Sequence, residues 1–426
     1  MLPHMALDER STIAWLHRRF GFGLAPGELD AAEQRGLDAE VDRLLDPDRH
    51  GVPRPADPWD DGVFALDTEE NRRQMNIHAV DGWLERMRTT PRPLHERVAW
   101  TWHDHFATSL RGVPHPYPLV QQIRTIQRLA MGSFEELVRT LTVDPAMLFW
   151  LDGATSTGAN PNENYGRELL ELFTVGIGNH DEDDVKAAAR ALTGWVVDRQ
   201  TGRAHFVARR HDDTPQVLLG VGGVHDVDSV IDAVCGAPAT STFVATMTID
   251  RLLGPVASAD TGLVRSVART FTRSGLSIGA MVEAIVAAGL SRIGRYPMVE
   301  PPVPWFVRAE RATGARLPSQ VRLVGLRSTG QVPLDPPDVG GWPAGEVWHA
   351  AASVVGRVTL AGAVAAAAPA SGVARQAAAR GDHAALADAI GWPGGFSTAT
   401  VSALRMLRRD TQRLTLALCA PDQVVV

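Results

Sequence analysis

Apolar residues recur every three or four positions along most of the chain, a spacing that predicts a succession of amphipathic helices. Ser11 opens the first, which stops at the glycine turn 21–23. Pro26, Gly27 and Glu28 start the next, because proline is tolerated in a first turn. Longer patterns cover Glu69–Thr89 and 93–109, another begins near Pro118, and 133–143 carries FEELVRTL at helical spacing. A Gly/Asn loop at 153–162 leads into a helix over 164–174. The helix over 181–193 has Asp183 and Asp184 in its first turn, where carboxylates complement the helix dipole. Then the period changes: 195–198 and 204–208 flank 199–202 and predict a β-hairpin. Helices resume over 226–253, 262–273, 277–288 and 301–313.

These elements define a mainly α fold, a multi-helix globular assembly with a small β-hairpin near residues 195–208. No repeat or low-complexity linker divides it, so 1–426 reads as one helical domain. Two stretches, 46–61 and 331–345 (QVPLDPPDVGGWPAG), are too rich in proline to be regular, and 347–426 supplies C-terminal helices on the same core.

Composition narrows the functional classes. With 42 basic against 49 acidic residues the formal charge is −7, and no basic block interrupts it, which argues against nucleic-acid binding. Cys235 and Cys419 lie in no CxxC or other metal spacing. The start is charged within ten residues and has no long apolar stretch, and no run of 18 apolar residues follows, so a cytoplasmic chain without membrane contact is expected.

The candidate chemistry begins in LDGATSTGANPNENYGRELLELFTVGIG, residues 151–178. At helical spacing Tyr165, Leu169, Leu172 and Phe173 share one face, Glu168 lies at its edge, and Glu163 and Arg167 sit four apart on the opposite side. A partly buried Glu168 suits a general acid or base or a metal ligand; a structural ion pair uses the same residues. In AWTWHDHFATS, residues 99–109, Val98, Trp102, His105 and Phe106 share a face, and His103 points elsewhere, so both histidines cannot hold one ion from a regular helix. His105 is the candidate ligand or proton carrier, against the reading of a satisfied core histidine. His211 and Asp212, in RHDD after the hairpin, would complete a divalent-metal site with His105 and Glu168, and Asp152 is a further candidate; a turn held by aspartate side chains accounts for the same motif. Gly220–Gly223 lacks the context of a phosphate loop and reads as a simple turn.

Several of these landmarks occur together in one family. RFGFG at 19–23, WHDHFATS at 102–109, AMLFWLDG at 146–153, PNENYGRELLELFTVGIG at 161–178, AARALTGW at 188–195, His211–Asp212, PPDVGGWPAGEVW at 336–348 and APDQ at 420–423 resemble the bacterial domain-of-unknown-function 1800 family, in order and over nearly the whole chain. The resemblance carries no settled activity, and it implies that export is common among members. The chain departs from the pattern at Trp15, where a His is expected, at Gln216 in place of a Lys, and at Glu300 and Pro304 in place of a Lys and a Glu.

The expectation is an enzyme with a polar, divalent-metal-assisted pocket built from His105, Glu163, Tyr165, Arg167, Glu168, His211 and Asp212. There Arg167 orients an anionic group of a small-molecule substrate, and hydrolysis or group transfer is the broad reaction class. The alternative is a non-catalytic interaction or assembly protein whose polar residues form a buried structural network, with a protein partner that the sequence does not identify.

Overall fold

The computed structural model of the chain describes residues 7–64, 69–198 and 201–425. Part of the charged start, and Arg199 and Gln200 in the expected hairpin loop, lie outside them. Among the described residues the fold is mainly α, with helices throughout and two small antiparallel hairpins. The first helix, Glu9–Phe20, begins two residues before Ser11 because the Asp8 carboxylate accepts the Ser11 N–H at 2.7 Å. Glu69–Thr89 runs as the periodicity predicts, while Pro93–His105 stops short of residue 109. Ser319–Thr329 is a helix that apolar spacing does not single out. Its inward face carries Arg322 among Leu323, Leu326 and Thr329, so a charge interrupts the stripe.

Strand β1 (Trp195–Val197) pairs with β2 (Ala204–Phe206), and the facing Trp195 and Phe206 rings lie 5.7 Å apart. A second hairpin, β3 (Gln216–Leu218) with β4 (Val221–Val224), corrects the simple turn expected at Gly220–Gly223. Its turn is Leu219–Gly220, both with positive φ (52° and 78°), the two-residue geometry that matches strand twist.

The largest departure lies in the 164–174 helix. It is α-helical over Glu163–Glu168 and a π-helix over Leu169–Thr174, where the Val175 N–H donates to the Leu170 carbonyl five residues back at 3.0 Å. The wider turn shifts the phase after Glu168. Leu170 is therefore fully buried and Leu172 only half-buried, the reverse of the stripe that a regular helix predicts.

One buried apolar cluster reaches from Trp15 to Val424. The C-terminus is woven into it: the Glu300 N–H donates to the Val424 carbonyl at 2.8 Å, which seats Gln423 beside Arg18 and Arg308. Among the described residues no single helix is long and apolar enough to cross a membrane.

Candidate functional site

Several of the residues picked out in the sequence make contacts that build the fold. Asn162 caps its helix, its Oδ1 accepting the Tyr165 N–H at 3.0 Å while its Nδ2 donates to the Leu151 carbonyl at 2.7 Å. Tyr165 is enclosed and its hydroxyl donates to the Thr142 carbonyl, and burial pushes the phenol up. Gly166 lets two helices touch, since a Cβ there would lie 2.7 Å from the Val185 carbonyl oxygen. The expected Glu163–Arg167 pair does not form. Arg167 instead forks onto Glu182 at 2.8 and 2.7 Å, a bidentate arrangement a single turn of helix does not offer, and Glu163 stays exposed. Glu168 is half-buried, and burial together with Glu171 and Asp338 raises its carboxyl above the ordinary range.

The proposed ligands are not gathered either. His105 Nε2 donates to the Phe173 carbonyl at 2.9 Å, with Trp102, Phe106, Phe173 and Phe243 around the ring, and burial pushes its imidazolium down to about 4. It is thus a neutral core histidine at neutral pH. His211 Nδ1 is bound to the Thr193 carbonyl at 3.0 Å. Asp212 accepts the Thr214 N–H at 3.1 Å and faces Arg190 at 3.5 Å, and the Thr214 hydrogen bonds hold its carboxyl below the usual range. Among the described residues no group of three or more His, Cys, Asp or Glu side chains is arranged to hold a metal ion, so His105, Glu168, His211 and Asp212 are not brought together as one such group. Asp152 and the Gly/Asn loop do border an open groove of about 370 Å³, with Asn160, Asn162 and Glu163.

A different face of the His105 helix carries a polar cavity. Arg97, Trp100, Thr101 and Asp104 follow one another at i, i+3, i+4 and i+7, which aligns them along one side. All four are buried, and they line a cavity of about 30 Å³ shared with Asp250, Arg251 and Trp348. Asp104 Oδ1 accepts the Trp342 N–H at 2.7 Å, and its Oδ2 forms an ion pair with Arg251 Nε. The Arg251 guanidinium also meets Asp250 at 3.1 Å and donates to the Trp342 carbonyl at 3.2 Å. Burial pushes the Asp104 carboxyl above the ordinary range, against the pull of Arg251.

The proline- and glycine-rich stretch roofs this cavity. Gly341 has φ +85°, and a Cβ there would lie 2.3 Å from the Asp104 carbonyl oxygen, so only glycine lets the loop close over the helix end. Trp342 then stacks on Trp100, with centroids 4.9 Å apart and planes 21° apart. His103 is buried among Trp83, Trp100 and Trp342 with no hydrogen bond to either ring nitrogen, and burial pushes its imidazolium down to about 3.

Behind Arg97 lies a buried cationic network. Arg18, Arg19, Arg97, Arg308 and Arg357 surround one carboxylate, Glu300, and all six are at most 2% exposed. Arg308 binds Glu300 through Nε at 3.1 Å and Nη2 at 2.8 Å and reaches Gln423 Oε1 at 2.9 Å. Arg18 Nη2 donates to the Gln423 carbonyl at 3.1 Å. Arg97 rests over the Phe22 ring at 5.9 Å, yet its Nε and Nη1 have no partner; the same atoms of Arg18 and Arg357 are also unpaired.

The fold and this site define a mainly helical protein built on a buried arginine network, with an acid-bearing cavity at its edge. The chain belongs to the family described as protein of unknown function, DUF1800, whose match covers residues 15–422. No curated protein and no solved structure matches it.

Four of its landmarks fall on the network and the cavity. RFGFG supplies Arg19 and Phe22, WHDHFATS supplies Asp104, PPDVGGWPAGEVW supplies Gly341, Trp342 and Trp348, and APDQ supplies Gln423. Of the departures, Glu300 is the central counter-charge, Trp15 packs edge-on against Phe20, and Pro304 is buried in the first turn of Pro302–Thr313. Gln216 sits in β3, its Nε2 donating to the Thr214 carbonyl at 2.8 Å. The polar stripe Arg97–Asp104 is present in the sequence as a second periodicity on an apolar helix.

Proposed function

We propose that the chain is an enzyme whose reaction depends on proton transfer by Asp104 to or from a small polar substrate held under residues 336–348. The observation that carries this reading is the enclosed Asp104 carboxyl, raised by burial, facing a cavity and oriented by both the Trp342 N–H and Arg251. A carboxyl raised in this way gives and takes a proton at higher pH than a free aspartate does, and Asp250, also paired with Arg251, supplies a second carboxylate.

Covalent catalysis is less well supported. The Thr101 hydroxyl, the only one among the cavity residues, donates to the Arg97 carbonyl at 3.2 Å. The only lysine, Lys186, pairs with Asp183 on the solvent-facing side of its helix. A metal-assisted hydrolysis or group transfer has no converging donor set among the described residues, so the acid–base half of that expectation is the part retained. Incubating the protein with a defined mixture of small polar metabolites, and following each by mass spectrometry, tests the proposal. One or more compounds are consumed by the wild type and not by Asp104→Asn; equal consumption by a folded Asp104→Asn protein refutes it.

The second reading, a non-catalytic protein with a buried bracing network, is favoured by one feature, the enclosed Arg308–Glu300–Gln423 contact that ties the C-terminus to the core. It predicts that Asp104→Asn lowers stability as breaking a buried pair does, by about 3–5 kcal/mol. The enzyme reading predicts in addition that the Asp104→Asn protein, where folded, loses turnover, which a bracing role alone does not move.

A further inference from the structure

Three buried N–H donors without partners belong to residues that line the Asp104 cavity: Nε and Nη1 of Arg97 and Nε1 of Trp348. Arg97 is 1% exposed and Trp348 3%, so solvent does not satisfy them from outside. An enclosed guanidinium with unpaired N–H groups is expensive, because neither water nor a carboxylate replaces its lost hydration. Nor does the surrounding protein supply the missing charge. Five buried arginines share Glu300, and Arg97 forms no ion pair with it, so the region behind the cavity carries an excess of positive charge. Arg97 is held down only to about 10, so it remains a cation at neutral pH.

The size of the cavity selects among anions. About 30 Å³ holds two or three water-sized groups, since one needs roughly 10–15 Å³. A planar carboxylate places two oxygens in such a space, and its flat edge matches the fork of a guanidinium. A tetrahedral phosphate has four oxygens and presents no flat edge, so it is the poorer match. We infer that the substrate of this cavity carries a carboxylate, which Arg97 binds through its unpaired edge and the Trp348 indole N–H completes. The inference rests on the cavity being the functional site and adds the class of molecule that enters it. Arg97 is the binding residue, and Asp104, one helical face along, meets the part of the substrate next to the carboxylate.

The test is thermal stabilisation and calorimetric titration of the full chain with formate, acetate, phosphate and chloride at constant ionic strength. Formate and acetate raise the melting temperature in a saturable way, whereas phosphate does no more than chloride. Arg97→Met abolishes the formate effect. Trp348→Phe keeps the ring and weakens formate binding about tenfold or more, as losing a hydrogen bond to a charged group does. Asp104→Asn still binds formate. Absence of a saturable formate or acetate effect, its survival in Arg97→Met, or binding of phosphate as tight as that of formate overturns the inference. Failure of carboxylate binding with Asp104-dependent turnover intact leaves the acid–base reading standing with a neutral substrate. Carboxylate binding without Asp104-dependent turnover overturns that reading alone.

Discussion

Replacing Glu300 by Gln removes the one carboxylate among five buried arginines while leaving an amide oxygen to accept from Arg308. The structure sets the size of the effect. Two hydrogen bonds from Arg308, at 3.1 and 2.8 Å, lose their charge assistance, and Arg18, Arg97 and Arg357 lose their nearest negative charge. Removing one partner of a buried ion pair costs about 3–5 kcal/mol, a large part of the roughly 5–15 kcal/mol that holds a typical domain folded. Urea unfolding at neutral pH, followed by tryptophan fluorescence, measures this as a shift of midpoint at constant slope.

The acid side gives an independent check. Glu300 is depressed below its ordinary 4.5 because Arg308, Arg18 and Arg97 favour its charge against the cost of burial. Its contribution is therefore complete above the unfolded-state value and is lost as the pH falls through the folded one. Wild type should lose stability below about pH 4.5 more steeply than Glu300→Gln. A loss under about 1 kcal/mol at neutral pH, with the same acid limb in both proteins, refutes the view that Glu300 balances the network.

Three further outcomes follow from the geometry. His103→Phe flattens the pH dependence between 7 and 5: the folded imidazole is held down to about 3, so the unfolded chain alone takes up a proton below about 6.5. The variant should recover up to about 2 kcal/mol of the loss at pH 5, and an unchanged difference between the two pH values refutes the assignment. Gly341→Ala forces a Cβ onto the Asp104 carbonyl in a left-handed conformation, which costs at least about 1–2 kcal/mol and displaces Trp342; an unaltered melt and tryptophan emission contradict this. Tyr165→Phe leaves the Thr142 carbonyl unpaired, lowering stability by about 1–3 kcal/mol with turnover per folded molecule retained, and lost turnover at full stability would return Tyr165 to the active site.

The mainly α fold and the hairpin at 195–208 were legible because apolar spacing alone decides them, as the match at Glu69–Thr89 illustrates. The face of the 164–174 helix was not, since a π turn after Glu168 breaks the fixed angle per residue on which any helical projection depends. Of the candidate site, the helix that carries His105 was legible, and its cavity-lining face was hidden behind the stronger apolar stripe. His105 shares the apolar stripe of Val98, Trp102 and Phe106 and is satisfied by the Phe173 carbonyl, while Arg97 and Asp104 lie on the neighbouring face. The arginine network was invisible for a general reason. Arginine is ordinarily a surface residue, so Arg18, Arg97, Arg308 and Arg357 read as solvated until the fold brings four distant segments together around Glu300.

A crystal structure of the wild-type protein grown in sodium formate tests the central claim most directly. The account predicts planar density between the Arg97 guanidinium and the Trp348 indole nitrogen, with the Asp104 carboxyl beside it and residues 336–348 closed above. Arg97 turned onto a protein acceptor, with the cavity collapsed or holding water alone, would contradict it.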